Sequence, residues 1–373
     1  MEGIRIGIIG LGNMGTGHAR KFYTGEIEGA VLSALCDARP ERLEWAKGEF
    51  PEGVEMFTSI DEFYEKANID GVIIVTPHYS HPELSIRAFE KGWHVMCEKP
   101  AGVYTKQVRL MNEAAERSGK VFSLMFNQRT NPLFQQVKEL IEQGELGEIR
   151  RTNWIITDWY RSQCYYDSAS WRATWAGEGG GVLLNQAPHQ LDLWQWVTGM
   201  MPVRVRAFCG FGKRRNIEVE DEVTAYVEYE NGATGVFVTT VTEAPGTNRF
   251  EIVGDKGKIV IENQEAKFFK LTTPENEFNL ENDQAFARPA FEEIILPFEN
   301  KQSGHLIVFQ NWVATILNKE KLIAPGIEGI NSLMISNAIY LSAWTNQTVE
   351  LPIDEDIFLE KLQEKIDEAK VVN

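Results

Sequence analysis

The sequence predicts two domains: an α/β unit built on a parallel sheet, then an α+β unit built on one broad, mostly antiparallel sheet. Three observations predict this. Up to about Asn127, short apolar runs alternate with helix-like segments. From Glu148 onward, strand patterns follow one another without regular helices between them. The length, 373 residues, suits two domains of about 100–200 residues each. The boundary is expected between residues 1–128 and residues 129–373.

The elements follow in order. IRIGIIG and GVIIVTP are continuous apolar runs of the kind buried in parallel sheets. The first leads into a helix over Thr16–Phe22, and AVLSALCD is the next strand. HPELSIRAFEKG reads as a helix stopped by Gly92, and TKQVRLMNEAAERSGK as one stopped by Gly119. In NPLFQQVKELIEQG, Asn131 can cap, Pro132 fits the first turn and Gly144 can terminate; Val137, Leu140 and Ile141 form an apolar face. VLLNQAPHQLDLWQWVTG is helix-like, with Pro188 near its start and Gly199 at its end. VRVRAFCG alternates. DEVTAYVEYENGATGVFVTTVTE is a hairpin about Asn231-Gly232, and RFEIVGDKGKIVIEN one about Asp255–Gly257. Helical patterns return at about Gly304–Leu317, Ile330–Trp344 and Ile357–Ala369.

A formal net charge of −17 argues against nucleic acid and against anionic membrane surfaces, both of which require clustered cations. No apolar segment is long enough to span a bilayer, and the opening residues lack the basic region of a secretory signal. Cys36, Cys97, Cys164 and Cys209 are far apart and form no CxxC, which suits small buried thiols in a reduced cytoplasmic protein and gives no sign of a metal site.

Gly10-Leu11-Gly12-Asn13-Met14-Gly15 is GxGxxG between a strand and a helix, the context of a Rossmann dinucleotide site. Gly10 permits the tight turn, Gly12 a close approach to pyrophosphate, and Gly15 close helix–strand packing. Asp37 lies 37 − 15 = 22 residues beyond the last glycine, against an expected spacing of about 20 for the ribose-binding acid. A carboxylate there favours NAD over NADP. Arg39 works against that preference, since it can stack on adenine or pair with a 2′-phosphate. Lys99 lies just past an apolar strand, at the edge where ligands of parallel sheets bind.

The chain resembles the glucose–fructose oxidoreductase / inositol dehydrogenase / MocA family. The matching pieces are GLGNMG, VTPHYSHPE, EKP at Glu98–Pro100, FNQR at Phe126–Arg129, WRATWAGEGGGVLLNQAPHQLDLW and NAIYLSAWTNQTVELP. The resemblance implies a Rossmann domain and an α+β domain whose open sheet mediates oligomerisation. It implies Lys99 and His189 as the catalytic pair. It sets Thr76, Pro77, His81, Glu98 and Asn127 beside the cofactor with Asn13 and Met14, and brings Trp171-Arg172 to it from the second domain.

Gly179-Gly180-Gly181 would let another group approach closely, and His189 falls in the first turn of the helix that follows. Asp192, three residues on, shares its face and reads either as an orienting partner or as a first-turn acid facing the helix dipole. The family pattern often has Asp four residues before the histidine. Here that residue is Asn185, which reads either as substrate-orienting or as a helix cap. Tyr160, Arg161 and Tyr166 belong to a stretch dense in aromatics and Arg, a composition that suits a sugar pocket.

These residues predict an NAD-dependent dehydrogenase of a secondary ring hydroxyl in a sugar, glycoside or inositol. His189 takes the hydroxyl proton and Lys99 stabilises the developing charge. Two other readings share the loop: a glycosidase or lyase acting through transient oxidation, and a non-catalytic NAD sensor. No metal is expected. Apolar or aromatic residues in both alternating sets of the Val223–Val241 strands, such as Val223 and Val227 against Tyr226, predict a homodimer or homotetramer formed through this sheet.

Overall fold

The computed structural model describes residues 3–297 and 304–372. In the first unit, strands β1 (Ile4–Ile9), β2 (Ala30–Cys36), β3 (Glu55–Phe57), β4 (Gly71–Ile74), β5 (His94–Cys97) and β6 (Phe122–Leu124) form one sheet in the order β3-β2-β1-β4-β5-β6. Every pairing is parallel. Helices α1 (Asn13–Tyr23), α2 (Pro40–Glu49), α3 (Ile60–Lys66), α4 (Ser80–Glu90) and α5 (Thr105–Ser118) make the crossovers. Strand order reverses between β1 and β4, so a crevice opens at their carboxyl ends. α1 begins at Asn13, three residues before the expected start, because Gly12 is its N-cap and receives the bond from Thr16 N–H. Gly119 adopts the left-handed terminating conformation expected of it (φ 63°).

The chain divides at Thr130/Asn131, but the stretch that ends at Leu333 returns to the first unit. Helix His305–Asn318 contributes Val308, Phe309, Trp312 and Val313 to the core around Ile6, Ile8 and Ile73. Ala324 O accepts from Leu124 N–H and from Ser123 Oγ. This stretch falls inside 129–373, which the sequence pattern assigns wholly to the second domain. Its apolar residues fit a core without specifying which one.

In the second unit, β7 (Ile149–Ile156), β8 (Pro202–Phe211), β9 (Glu220–Tyr229), β10 (Thr234–Thr240), β11 (Asn248–Gly254), β12 (Gly257–Glu262), β13 (Glu265–Leu271), β14 (Phe291–Ile295) and β15 (Val349–Glu350) form a nine-stranded sheet in the order β14-β13-β12-β11-β7-β10-β9-β8-β15. Only β10 and β7 pair in parallel. Both expected hairpins form: β9/β10 about Asn231-Gly232 and β11/β12 ahead of Gly257. Helices α6 (Pro132–Glu142), α7 (Gln163–Tyr166) and α8 (Pro188–Thr198) follow the chain through this unit. Asn131 caps α6 by accepting from Leu133 N–H. α8 lies on the sheet, with Trp194 stacked on Phe237 and donating to Thr152 Oγ1. Lys138 of α6 donates to Trp196 O of α8.

The opposite face of the sheet carries Ile155, Phe208 and Tyr226, all exposed, among ion pairs such as Arg204–Glu228. Cys36 and Cys97 are buried as expected and Cys209 partly so, but Cys164 is exposed. It lies on the outer side of α7, a single turn whose buried residue is Tyr166.

Candidate active site

Each glycine of the phosphate loop is required for a different reason. Gly10 has φ 100°, and a Cβ there would lie 2.4 Å from Val75 O. A Cβ at Gly15 would lie 1.9 Å from Gly10 O. At Gly12 a Cβ would meet no protein atom within 4 Å. The first two are therefore demanded by the fold, and the third only by whatever docks on the loop. Asn13 and Met14 are exposed beside it, and the first turn of α1 carries no acid that would repel a phosphate. The loop thus fits a dinucleotide pyrophosphate.

Asp37 follows β2. Its Oδ2 accepts from Leu11 N–H (2.7 Å), and its Oδ1 from Arg39 N–H (2.9 Å) and Arg39 Nε (3.2 Å). Burial alone would raise this carboxyl, but the Arg39 and Leu11 hydrogen bonds outweigh it and hold it below the usual range. Asp37 is ionised at neutral pH, and the Arg39 guanidinium is drawn onto it.

Lys99 follows β5 on the same sheet edge. Glu98 beside it is buried; its Oε1 faces His18 Nε2 at 2.8 Å and its Oε2 accepts from Lys99 N–H at 3.2 Å. Burial disfavours the Glu98 anion, but His18 and Lys99 more than compensate, and its pKa lies well below the usual range. The His81 ring links two loops, with Nε2 at 2.7 Å from Thr76 O and Nδ1 at 2.8 Å from Pro100 O. The Glu98 and His81 side chains are buried and tie together the loops carrying Thr76, Pro77 and Lys99. Asn127 opens a single 3₁₀ turn after β6 and accepts at its carbonyl from Thr130 Oγ1.

In the second unit, the triple glycine accommodates the protein itself. A Cβ at Gly180 would lie 2.2 Å from the Tyr340 hydroxyl, and one at Gly181 2.1 Å from Glu220 O. The fully buried Glu220 carboxylate accepts from Gly181 N–H (2.9 Å), Leu183 N–H (2.8 Å) and the Tyr340 hydroxyl (2.7 Å). Burial nevertheless pushes its pKa up to about 7. This clamp shapes the loop that leads into α8.

His189 is the second residue of α8 and is partly exposed. Asp192, one turn on, is buried and accepts from Gln195 Nε2. Asn185 is not a helix cap, since the N-cap of α8 is Ala187. Its Nδ2 donates to Glu178 Oε1, and its Oδ1 accepts from Gln186 Nε2 (3.1 Å) and the Tyr165 hydroxyl (3.5 Å).

Tyr166, expected at the substrate, is instead buried, and its hydroxyl has no hydrogen-bond partner among the described residues. Tyr165 carries the contacts. Its hydroxyl accepts from Arg172 Nη1 (2.8 Å), and the guanidinium groups of Arg172 and Arg161 lie 4.6 and 5.3 Å from its ring centre. Successive residues of a helical turn point to different sides, so only one of the pair can face this cluster. Arg172 also stacks on Trp171, and Tyr160 is exposed beneath Arg215. Sequence reasoning places Tyr165 in the aromatic stretch without separating it from Tyr166, and misses Glu178, Glu220 and Tyr340, because their partners lie far along the chain or in loops without periodicity. No group of acidic, His or Cys side chains among the described residues could hold a metal.

Comparison with known proteins gives the family. Residues 4–126 match a family model described as an oxidoreductase family with an NAD-binding Rossmann fold, and residues 134–260 match the GFO/IDH/MocA C-terminal domain. A myo-inositol 2-dehydrogenase from Thermotoga maritima is 28% identical over 93% of this chain and 98% of its own. A levoglucosan dehydrogenase from Pseudarthrobacter phenanthrenivorans is 30% identical over 70% of this chain and 74% of its own. Among solved structures, the WlbA dehydrogenase from Bordetella pertussis, in complex with NADH and UDP-GlcNAcA, superposes with a TM-score of 0.79 at 28% identity, covering 94% of this chain and all of the other. The glycine loop, the Asp37 carboxylate and both family matches agree: the chain belongs to the GFO/IDH/MocA family and is an NAD-dependent oxidoreductase.

Proposed function

We propose that the protein oxidises a secondary ring hydroxyl of a sugar, glycoside or inositol, with Lys99 and His189 carrying the proton chemistry. The reading is carried by Lys99, at the carboxyl edge of the sheet bearing the NAD loop, together with the inositol and levoglucosan dehydrogenases among its relatives. NAD, when bound, accepts the hydride. The chain's own residues do the rest. Gly12 to Gly15 receive the pyrophosphate, with Asn13 and Met14 beside it. Asp37 accepts from the ribose hydroxyls and repels a 2′-phosphate, which sets NAD above NADP. Thr76, Pro77, Asn127, Trp171 and Arg172 are the further residues that the family resemblance assigns to the cofactor. His81 and Glu98 serve by fixing loops.

On the substrate side, His189 removes the hydroxyl proton, and the Lys99 ammonium stabilises the alkoxide that develops. Asn185, Tyr160 and Arg161 orient the remaining hydroxyls. Tyr166 and Asp192 support them from the buried side. The exposed sheet face with Tyr226 and Phe208 is the surface through which two or four copies assemble.

The test is a panel of inositols, hexoses and glycosides incubated with NAD and the full chain. Net NADH formation with at least one of them is expected. Product formation without net NADH would indicate the glycosidase or lyase cycle, and no reaction with any of them would overturn the reading.

A further inference from the structure

We propose that Glu178 is a positioning residue of this reaction: its buried carboxylate holds the Asn185 carboxamide so that Asn185 presents an acceptor, not a donor, to a substrate hydroxyl. The inference rests on the reading of Asn185 as a substrate contact.

The geometry fixes the polarity of Asn185. Glu178 is 2% exposed and, as a carboxylate, only accepts. One oxygen, Oε2, is taken by Ala173 N–H at 2.6 Å. The other, Oε1, faces Asn185, so the amide must turn its NH2 that way. Independently, Gln186 Nε2 and the Tyr165 hydroxyl both donate to the far side of the same amide. The Tyr165 proton is directed there because its oxygen already accepts from Arg172 Nη1. Donation therefore runs from Arg172 to Tyr165 to Asn185 and on to Glu178. Any polar group of a substrate that reaches Asn185 Oδ1 must be a donor, and it takes the place of the long 3.5 Å Tyr165 contact, because Gln186 holds the other lone pair. A ring hydroxyl qualifies; a ketone or an O-methyl ether at that position does not.

The same geometry accounts for the departure from the family pattern. An aspartate at position 185 would set two carboxylates in contact, and one would have to hold a proton. In this chain the negative charge sits one shell back, at residue 178. Arg172, whose Nη1 lies 3.9 Å from Glu178 Oε1, and the Tyr166 hydroxyl face it, and the Tyr165 hydroxyl reaches it only through Asn185.

A role exchange tests this in the full-length chain. E178Q sets two amide NH2 groups against each other, and N185D sets two carboxylates together. In E178Q/N185D the pairing is restored with its roles reversed. The amide introduced at position 178 accepts from Ala173 N–H and donates to the carboxylate introduced at position 185, which still accepts from Tyr165 and Gln186.

Steady-state kinetics across pH and thermal unfolding are measured for all four proteins. Each single variant should lose about 10–100-fold in kcat/KM at neutral pH, the scale of a buried hydrogen bond to a charged group. N185D should regain activity relative to wild type as pH falls and its carboxyl pair takes up a proton. The double variant should recover to within about tenfold of wild type and lose that pH dependence. Singles within about twofold of wild type, losses that add in the double variant, or an N185D pH profile parallel to wild type would each overturn the proposal. If the wild-type chain oxidises no polyol, the proposed reaction fails instead. The exchange is then scored on Tm, where recovery in the double variant supports it and additive losses overturn it.

Discussion

The Tyr340 hydroxyl donates to the Glu220 carboxylate at 2.7 Å, directly beneath Gly180. Three donors converge on this acid, yet burial still raises its pKa to about 7 from an ordinary 4.5. Because the folded pKa lies above the unfolded one, the favourable contribution of Glu220 is fully present below about pH 4.5. It is lost as pH rises through about 7. The difference between those values corresponds to about 3 kcal/mol. Wild-type stability relative to E220Q should therefore fall between about pH 5 and pH 8, as read by denaturant unfolding. A pH-independent difference would show that the acid keeps an ordinary pKa.

The glycine loop separates fold from ligand. G12A should leave Tm unchanged, because its methyl meets no protein atom, but should weaken NAD binding. G15A should lower Tm, because its methyl would collide with Gly10 O. Calorimetric titration beside thermal unfolding checks both. Unchanged NAD affinity in G12A would mean that the pyrophosphate does not dock there.

Cofactor choice should rest on Asp37. NAD should bind more tightly than NADP, and D37A should narrow the gap, which also frees Arg39 to meet a 2′-phosphate. Equal or tighter binding of NADP to wild type would show that Arg39, not Asp37, governs cofactor choice.

Turnover should depend on Lys99 and His189 far more than cofactor binding does. K99A and H189A should each reduce kcat by about 10²–10⁴-fold, the usual contribution of a positioned proton carrier. Near-normal turnover removes that residue from the mechanism. A K99A protein impaired mainly in NAD affinity would recast Lys99 as a cofactor ligand.

The exposed sheet face should be buried between copies. Light scattering at micromolar concentration should give a dimer or tetramer, and F208E/Y226E should shift it toward monomer. A monomeric wild type would refute the assembly. An oligomer unmoved by the double substitution would place the interface elsewhere.

Much of this is legible in the sequence wherever the physics is local. GxGxxG between a strand and a helix, Asp37 at its spacing, the Asn231-Gly232 hairpin and the terminator Gly119 each depend on neighbours within a short stretch of chain. The site's supporting groups do not. Glu220 reaches Tyr340 across 120 positions, and Glu98 reaches His18 across 80, so no window contains both partners. Tyr165 and Tyr166 are chemically interchangeable on paper, and only the path of α7 decides which one meets Arg172. The triple glycine marks a place of close approach, but what approaches is Tyr340 and the Glu220 backbone.

The return of helix His305–Asn318 to the first unit makes the molecule non-modular at the level of its gene. A fragment ending at Thr130 would encode a nucleotide-binding half lacking Val308, Phe309, Trp312 and Val313, four side chains of its interior. Such a fragment would expose that interior and aggregate. Grafting a different second unit onto this scaffold therefore means exchanging two separate coding segments at once and leaving the strap between them in place.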